Sequence, residues 1–219
     1  MRAMRRLMVL ALALLATPVL AQNAPDPAPT TSASAPVAPG PALPRVAIVT
    51  SAGRFVVEVE TIKAPITGAN FLRYVDQRRL DGVTFYRDVR VADRFGFVQF
   101  GTGGDLKKSL PPIRHEPTTL TGLKHFEGTL SLARLAPGTG RGDFTISVGD
   151  QFGLDADPTQ KDDNLGYATF GRVVEGMDVV LKIFGAPISP TATLAGAFRG
   201  EVPVVPAKVI SARRVVAAK

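Results

Sequence analysis

The sequence predicts a mainly β fold, a closed antiparallel barrel of short strands plugged by two α-helices. Three observations predict it. Short runs rich in Val, Ile, Thr and Phe recur along the chain, with glycine- and proline-rich turns between them. Only two segments carry apolar residues at helical spacing. Neither an internal repeat nor a heptad pattern is present, which leaves a single closed layer of strands with helical plugs as the simplest way to bury the apolar faces.

The chain begins with what reads as an export signal, 1–21. Arg2, Arg5 and Arg6 precede the apolar run Leu7–Leu20, and the small residue Ala21 stands before Gln22. The run is shorter than the ~20 residues that span a bilayer, so cleavage near Ala21 is expected, with no stable membrane span afterwards. Residues 22–44 are almost all Ala, Pro, Ser, Thr, Asn and Gly, a composition that buries too little apolar surface to order itself. They read as a flexible linker. Residues 45–219, about 175 of them, then form one domain large enough for a proper core.

The 219 residues contain no cysteine, which excludes disulfides, thiolate metal sites, a cysteine nucleophile and a lipidated cysteine. The formal net charge is +7, and Arg2, Arg5 and Arg6 of the signal supply three of the excess. The other Lys and Arg are scattered and no nucleic-acid motif accompanies them, so no nucleic-acid partner is expected. The expectation is a soluble monomer, periplasmic in a two-membrane host and secreted in a one-membrane host.

In chain order, Arg45–Ser51 and Arg54–Glu60 read as a hairpin around Ser51-Ala52-Gly53, with Phe55, Val57 and Val59 on one face. Ala64-Pro65 suits a helix start, and Gly68, Phe71, Leu72 and Val75 then share a stripe that ends before Asp81-Gly82. Strands are expected at Val83–Arg87, Phe97–Phe100, Gly128–Leu135, Phe144–Val148, Ala168–Val173 and Lys208–Val216. A second helix is expected at Gly176–Phe184, where Val179, Val180 and Ile183 form an apolar patch.

Several motifs are incomplete. Gly138-Thr139-Gly140-Arg141-Gly142-Asp143 lacks the Lys-Ser/Thr of a phosphate loop and precedes a strand rather than a helix. Its Arg-Gly-Asp is a bare tripeptide. Gly101-Thr102-Gly103-Gly104 reads as a strand-ending turn. His115 and His125 stand apart from any ligand cluster, and a solvated or structural role is expected for both. No Gly-x-Ser-x-Gly elbow is present. Neither a nucleophile, a metal nor a cofactor is implied. What remains is apolar strand carrying isolated polar groups, above all Arg87 and Gln99.

Those strands resemble a known family. Thr84-Phe85-Tyr86-Arg87 followed by Phe97-Val98-Gln99 is similar to the Phe-His-Arg … Phe-Met-x-Gln signature of cyclophilin-type peptidyl-prolyl isomerases. Gly128–Arg134, Leu154-Asp155, Tyr167–Val180 and Ala64-Pro65 … Asn70-Phe71 resemble further segments of that family, in family order. The resemblance implies an eight-stranded barrel with a helix at each end and isomerisation of Xaa-Pro bonds, assisting the folding of exported proteins. Proline-containing polypeptides would be the clients, and cyclosporin-like ligands would fit the same groove.

On that resemblance Arg87 is the catalytic donor and Gln99 orients it or the substrate carbonyl. Phe95 or Phe97, together with Leu154, walls the proline pocket. Tyr167 stands where the family often has a histidine. The backbone of Ala133-Arg134-Leu135 pairs with the peptide. The chain departs from the family at Asp143 and Thr145, where an amide and an aromatic are usual. Losing that ring removes apolar contact of about 1–3 kcal/mol unless Phe95 or Phe152 replaces it. Arg87 and Arg134 are the candidate partners for the Asp143 charge. An insertion also lengthens the stretch between Arg87 and Gln99. These departures keep open a second reading, a proline-segment binding module or holdase with little turnover.

Overall fold

The structure, a computed structural model, describes residues 42–161 and 163–215. The export signal and nearly all of the linker lie outside the described residues. Ten strands follow in order: β1 (Arg45–Thr50), β2 (Gly53–Val59), β3 (Thr84–Ala92), β4 (Phe95–Gly101), β5 (Thr129–Leu132), β6 (Asp143–Val148), β7 (Ala168–Glu175), β8 (Ile188–Ser189), β9 (Val202–Pro203) and β10 (Val209–Arg214). Eight of them make one curled antiparallel sheet in the order β10-β1-β2-β7-β5-β6-β4-β3, and β8 pairs with β9 separately. The helices are α1 (Pro65–Asp76), α2 (Thr118–Thr121) and α3 (Met177–Phe184), with a 3-10 turn at Phe152–Leu154.

The mainly β architecture agrees with the pattern of short runs, and several elements differ from it, among them β8 and β9, which no apolar run marked. A third helix, α2, is a single turn too short for periodicity to register, closed by Gly122 at φ +69°. The strand expected at Gly128–Leu135 shrinks to Thr129–Leu132, because Gly128 sits at φ +79° and the chain leaves the sheet after Leu132. Helix α1 ends at Asp76, before Asp81-Gly82 as its apolar stripe implied. Full closure of the sheet is not a continuous ladder. At its ends, β3 meets the residue just before β10 at an isolated bridge, Thr84 opposite Lys208.

Alternation along the strands decides the core. Phe55, Val57 and Val59 of β2 are fully buried, as are Phe144, Ile146 and Val148 of β6 and Val98 and Phe100 of β4. Phe71 of α1 meets Phe144 edge-on at 5.1 Å, and Phe85 stacks on Phe100 at 4.7 Å. These rings form the centre around which the sheet curls. The buried carboxylate of Glu116 accepts from the Ile66 and Thr67 amides at 3.1 and 2.7 Å and from the Thr67 hydroxyl at 2.6 Å. A charge from a distant loop therefore satisfies the unpaired amides at the start of α1, where the helix dipole favours an anion.

Candidate active site

The β3–β4 register explains how an arginine comes to stand clear of the core. Phe85 pairs with Phe100, but Arg87 pairs with Gln99, so Tyr86 is an extra residue on β3. Residues two apart on a strand share a face, and without this bulge Arg87 would follow Phe85 inward. With it, Arg87 joins Phe97 and Gln99 on the outer face. The insertion between Arg87 and Gln99 is absorbed at the far end of the hairpin, where β3 runs on to Ala92 and β4 begins at Phe95. The spacing changed while the pairing of Arg87 with Gln99 did not.

That face borders a cavity of about 610 Å³. Arg87, Gln99, Phe97, Thr145 and Asp143 line it from the β3, β4 and β6 side. Ala133, Arg134, Leu135, Leu154 and Tyr167 line it from the other. Phe95 does not take part. It sits opposite Ala92 at the hairpin end, with its ring toward Gly149. Phe152 packs edge-on against Phe126 at 5.2 Å. Neither ring fills the space at Thr145, whose hydroxyl instead meets Ser131 Oγ at 2.7 Å. A second cavity, of about 410 Å³, lies between the Arg90–Arg94 end of the hairpin and α3, and none of these residues lines it.

A chain of hydrogen bonds fixes Arg87. Its Nη1 donates to Gln99 Oε1 at 3.2 Å, Gln99 Nε2 donates to the Tyr86 hydroxyl at 2.8 Å, and that hydroxyl donates to Asp143 Oδ1 at 3.0 Å. Asp143 also accepts from the Gly103 amide at 2.7 Å and the Gly104 amide at 3.3 Å. Burial and the adjacent Asp143 charge push the Tyr86 phenol well above its ordinary range, so it stays a donor at neutral pH. Asp143 therefore pairs with neither Arg87 nor Arg134. Arg87 Nε donates to Glu201 Oε2 at 2.6 Å. Arg134 is held by Asp163 through both Nη atoms and donates from Nε to the Gly166 carbonyl at 3.0 Å.

The opposite wall is built by close backbone approach. The Tyr167 amide donates to the Leu154 carbonyl at 2.9 Å, and the Arg134 guanidinium lies 5.2 Å from the centre of the Tyr167 ring. Between them Gly166 stands at φ +56°. A Cβ there would come within 2.5 Å of backbone atoms of Leu154, Asp155 and Ala156. His125, beneath this wall, is fully buried and bonds Asp155 Oδ1 through Nδ1 at 2.7 Å. Desolvation lowers its pKa despite the carboxylate, so the ring is neutral at pH 7 and Nδ1 is the donor. His115 meets the Leu165 carbonyl through Nε2 at 3.0 Å.

Among the residues at the site that escaped the sequence reading are Tyr86, Phe198 and Glu201. Tyr86 carried a signal, since a residue beside Arg87 on an uninterrupted strand should face the other way. Phe198 and Glu201 carried none: they lie beyond the segments that resemble a family, in a stretch without strand or helix periodicity. Asp88 is a further polar group of interest, on the core side opposite Val98. Its Oδ2 meets Arg90 Nη2 at 3.3 Å, and its Oδ1 has no hydrogen-bond partner among the described residues. Burial pushes its carboxyl up to about 7 against the opposing pull of Arg90.

Comparison with known proteins gives one answer. The family model described as cyclophilin type peptidyl-prolyl cis-trans isomerase/CLD matches residues 45–211. A peptidyl-prolyl cis-trans isomerase of Acinetobacter baylyi is 36% identical over 166 residues, covering 74% of this chain and 80% of that protein. One from Streptomyces antibioticus is 38% identical over 170 residues, covering 75% and 94%. Among solved structures, a Cryptosporidium parvum cyclophilin type isomerase shares the fold with a TM-score of 0.63 at 18% identity, covering 80% of this chain and 99% of that one. The same isomerase crystallised in the presence of the dipeptide Ala-Pro gives 0.62. With its bulged arginine strand, glutamine-backed guanidinium and apolar cavity, the chain belongs to the cyclophilin-type peptidyl-prolyl cis-trans isomerases.

Proposed function

We propose that this protein, a peptidyl-prolyl cis-trans isomerase by family, uses Arg87 as the donor that lowers the barrier to Xaa-Pro rotation. One observation carries the assignment: a guanidinium fixed by Gln99 at the wall of a cavity whose neighbouring surfaces, Phe97 and Leu154, are apolar. Planarity of the peptide bond sets a barrier of about 18–20 kcal/mol, because the nitrogen lone pair is shared with the carbonyl. As the bond twists, that lone pair localises on the prolyl nitrogen and becomes a hydrogen-bond acceptor. A fixed cationic N–H aimed at this position binds the twisted state more strongly than the planar one, which accelerates rotation without covalent chemistry. Phe97 and Leu154 receive the proline ring, with Tyr167 at the rim.

Of the peptide-pairing segment, the Ala133 amide already donates to the Asp143 carbonyl and the Leu135 amide to Thr139 Oγ1. Pairing with substrate backbone then falls to Arg134, whose N–H and C=O carry no backbone partner among the described residues. Such recognition reads backbone rather than side chains and suits varied proline-containing clients. The alternative of a binding module without turnover rested on Asp143 and Thr145. Asp143 is engaged by Tyr86 and two glycine amides and leaves Arg87 in place. Two further readings belong to the same proposal. The sheet closes as a barrel, supported by the Thr84–Lys208 bridge and by 2.8 Å hydrogen bonds from Gly82 N to Val209 O, Val209 N to Val83 O and Phe85 N to Ala207 O. The protein works outside the cytoplasm, supported by the sequence of residues 1–21.

The test is two-dimensional NMR exchange on a short Xaa-Pro peptide with catalytic amounts of the protein and of Arg87→Ala. Faster exchange with the parent and a fall of about a hundredfold or more in the variant are expected, on the scale of losing one transition-state donor. Equal rates for the two proteins would refute Arg87 as the donor.

A further inference from the structure

The chain between α3 and β10 lies outside the eight-stranded sheet and returns to the site. After β8 it makes an excursion over 190–201, in which Leu194 and Ala197 exchange two backbone hydrogen bonds of 2.9 Å, and then enters β9. The Asp88 amide donates to the Glu201 carbonyl at 2.8 Å, which fixes the end of the excursion against β3 beside Arg87. The Glu201 amide donates to the Phe198 carbonyl at 3.0 Å, closing a turn. Phe198 and Ala195 adopt φ of +62° and +49°, a region that residues with side chains occupy only where their surroundings fix them.

From this turn two side chains reach one guanidinium. Glu201 Oε2 accepts from Arg87 Nε at 2.6 Å, and the Phe198 ring centre lies 4.1 Å from Arg87 Cζ. Phe198 and Leu194 also line the cavity. Arginine has five N–H groups in a rigid fork. Glu201 takes the one on Nε, Gln99 takes one on Nη1, and among the described residues Nη2 donates to nothing. The pair therefore occupies the Nε and Nη1 positions and leaves the Nη2 N–H groups for a peptide. Held only by Gln99, a side chain as long as arginine would sample several rotamers, and ordering it would fall on the reaction itself.

We propose that Glu201 is a positioning residue of the isomerase, clamping the Arg87 guanidinium through Nε while Phe198 covers its face as an added wall of the substrate cavity. The proposal rests on Arg87 being the catalytic donor. A competing role for Glu201, as a carboxylate that withholds Arg87 from substrate, makes the opposite prediction for turnover.

The experiment compares the protein with Glu201→Ala, Glu201→Gln and Glu201→Asp. The first readout is the ¹H–¹⁵N signal of the Arg87 Nε–H group, assigned by its loss in Arg87→Lys. The second is peptide exchange kinetics across substrate concentrations, separating kcat from KM. A protected Nε–H signal is expected in the parent, lost in Glu201→Ala, together with a kcat lower by about tenfold to a hundredfold and little change in KM. Glu201→Gln, which keeps an acceptor at the same reach, should restore most of both. Glu201→Asp keeps the charge but shortens the reach, so it should lose turnover even if the alanine variant fails to fold. Parental or higher kcat in Glu201→Ala or Glu201→Asp overturns the proposal, and so does an unprotected Nε–H in the parent. Absence of turnover from the parent would instead defeat the assignment of Arg87, and the Nε–H signal would still test the clamp.

Discussion

Replacing Asp88 with asparagine should make the protein more stable, by an amount that depends on pH. The Asp88 side chain is fully buried, with one oxygen on Arg90 and the other without a partner among the described residues. Its carboxyl is raised from an ordinary 3.8 to about 7, chiefly by desolvation. Between those two values the folded protein holds a proton that the unfolded chain has released. Stability contributed by this group is therefore complete below about pH 4 and drains away as pH rises to about 7, by about 1.4 kcal/mol per pH unit. Over roughly three pH units that amounts to about 4 kcal/mol, an upper figure because water penetration and Arg90 temper the burial. Asparagine has the same shape and never carries the charge, and the backbone link from residue 88 to Glu201 is unaffected.

Urea unfolding of parent and Asp88→Asn at several pH values from 4.5 to 8.5 measures the effect. Other titrating groups cancel in the difference, which should widen in favour of the variant as pH rises and level off above about 7. A difference that stays constant across the series would refute the reasoning. It would mean that Asp88 is ionised throughout and that Arg90 fully offsets its burial.

Two further substitutions probe the site. Tyr86→Phe removes the hydroxyl that accepts from Gln99 and donates to Asp143, leaving a buried amide N–H unpaired at a cost of about 1–3 kcal/mol. Denaturant unfolding should register that loss, and kcat should fall several-fold as Gln99 loosens its hold on Arg87; unchanged values of both would remove Tyr86 from the network. Gly166→Ala places a methyl against three backbone atoms at a positive φ, so it should destabilise by more than about 1 kcal/mol and raise the peptide KM by displacing Leu154 and Tyr167. An unaltered KM would show that this wall does not meet the substrate.

The parts of the fold that were legible in the sequence are those that local chemistry decides. Phe55, Val57 and Val59 alternate as a half-buried strand must, and Pro65 and Gly176 mark the starts of the two longer helices. The cavity-lining positions of Arg87, Gln99 and Leu154 came from motif resemblance, because nothing in periodicity distinguishes a pocket wall from a core position. What stayed hidden depends on distant partners. Glu116 capping α1 and Glu201 meeting Arg87 join segments 50 and 114 residues apart, and neither acid differs locally from a solvated one. Asp143 looked like a partner for an arginine because charge was the only visible criterion. Its carboxylate went instead to a phenol and two amides that the turn at Gly103-Gly104 brings within reach.

The Tyr86 bulge makes this enzyme sensitive to counting rather than to chemistry. Lengthening the hairpin near Asp93-Arg94 adds rungs at its tip and leaves every pairing below unchanged, so insertions there are cheap. Adding one residue between Phe85 and Arg87 would leave composition and charge almost intact yet pair Arg87 with Val98 in place of Gln99 and rotate the guanidinium toward the stacked rings of Phe85 and Phe100. Lineages of this chain can therefore vary the length of one end of the hairpin freely, while the other end tolerates substitutions but not an added residue.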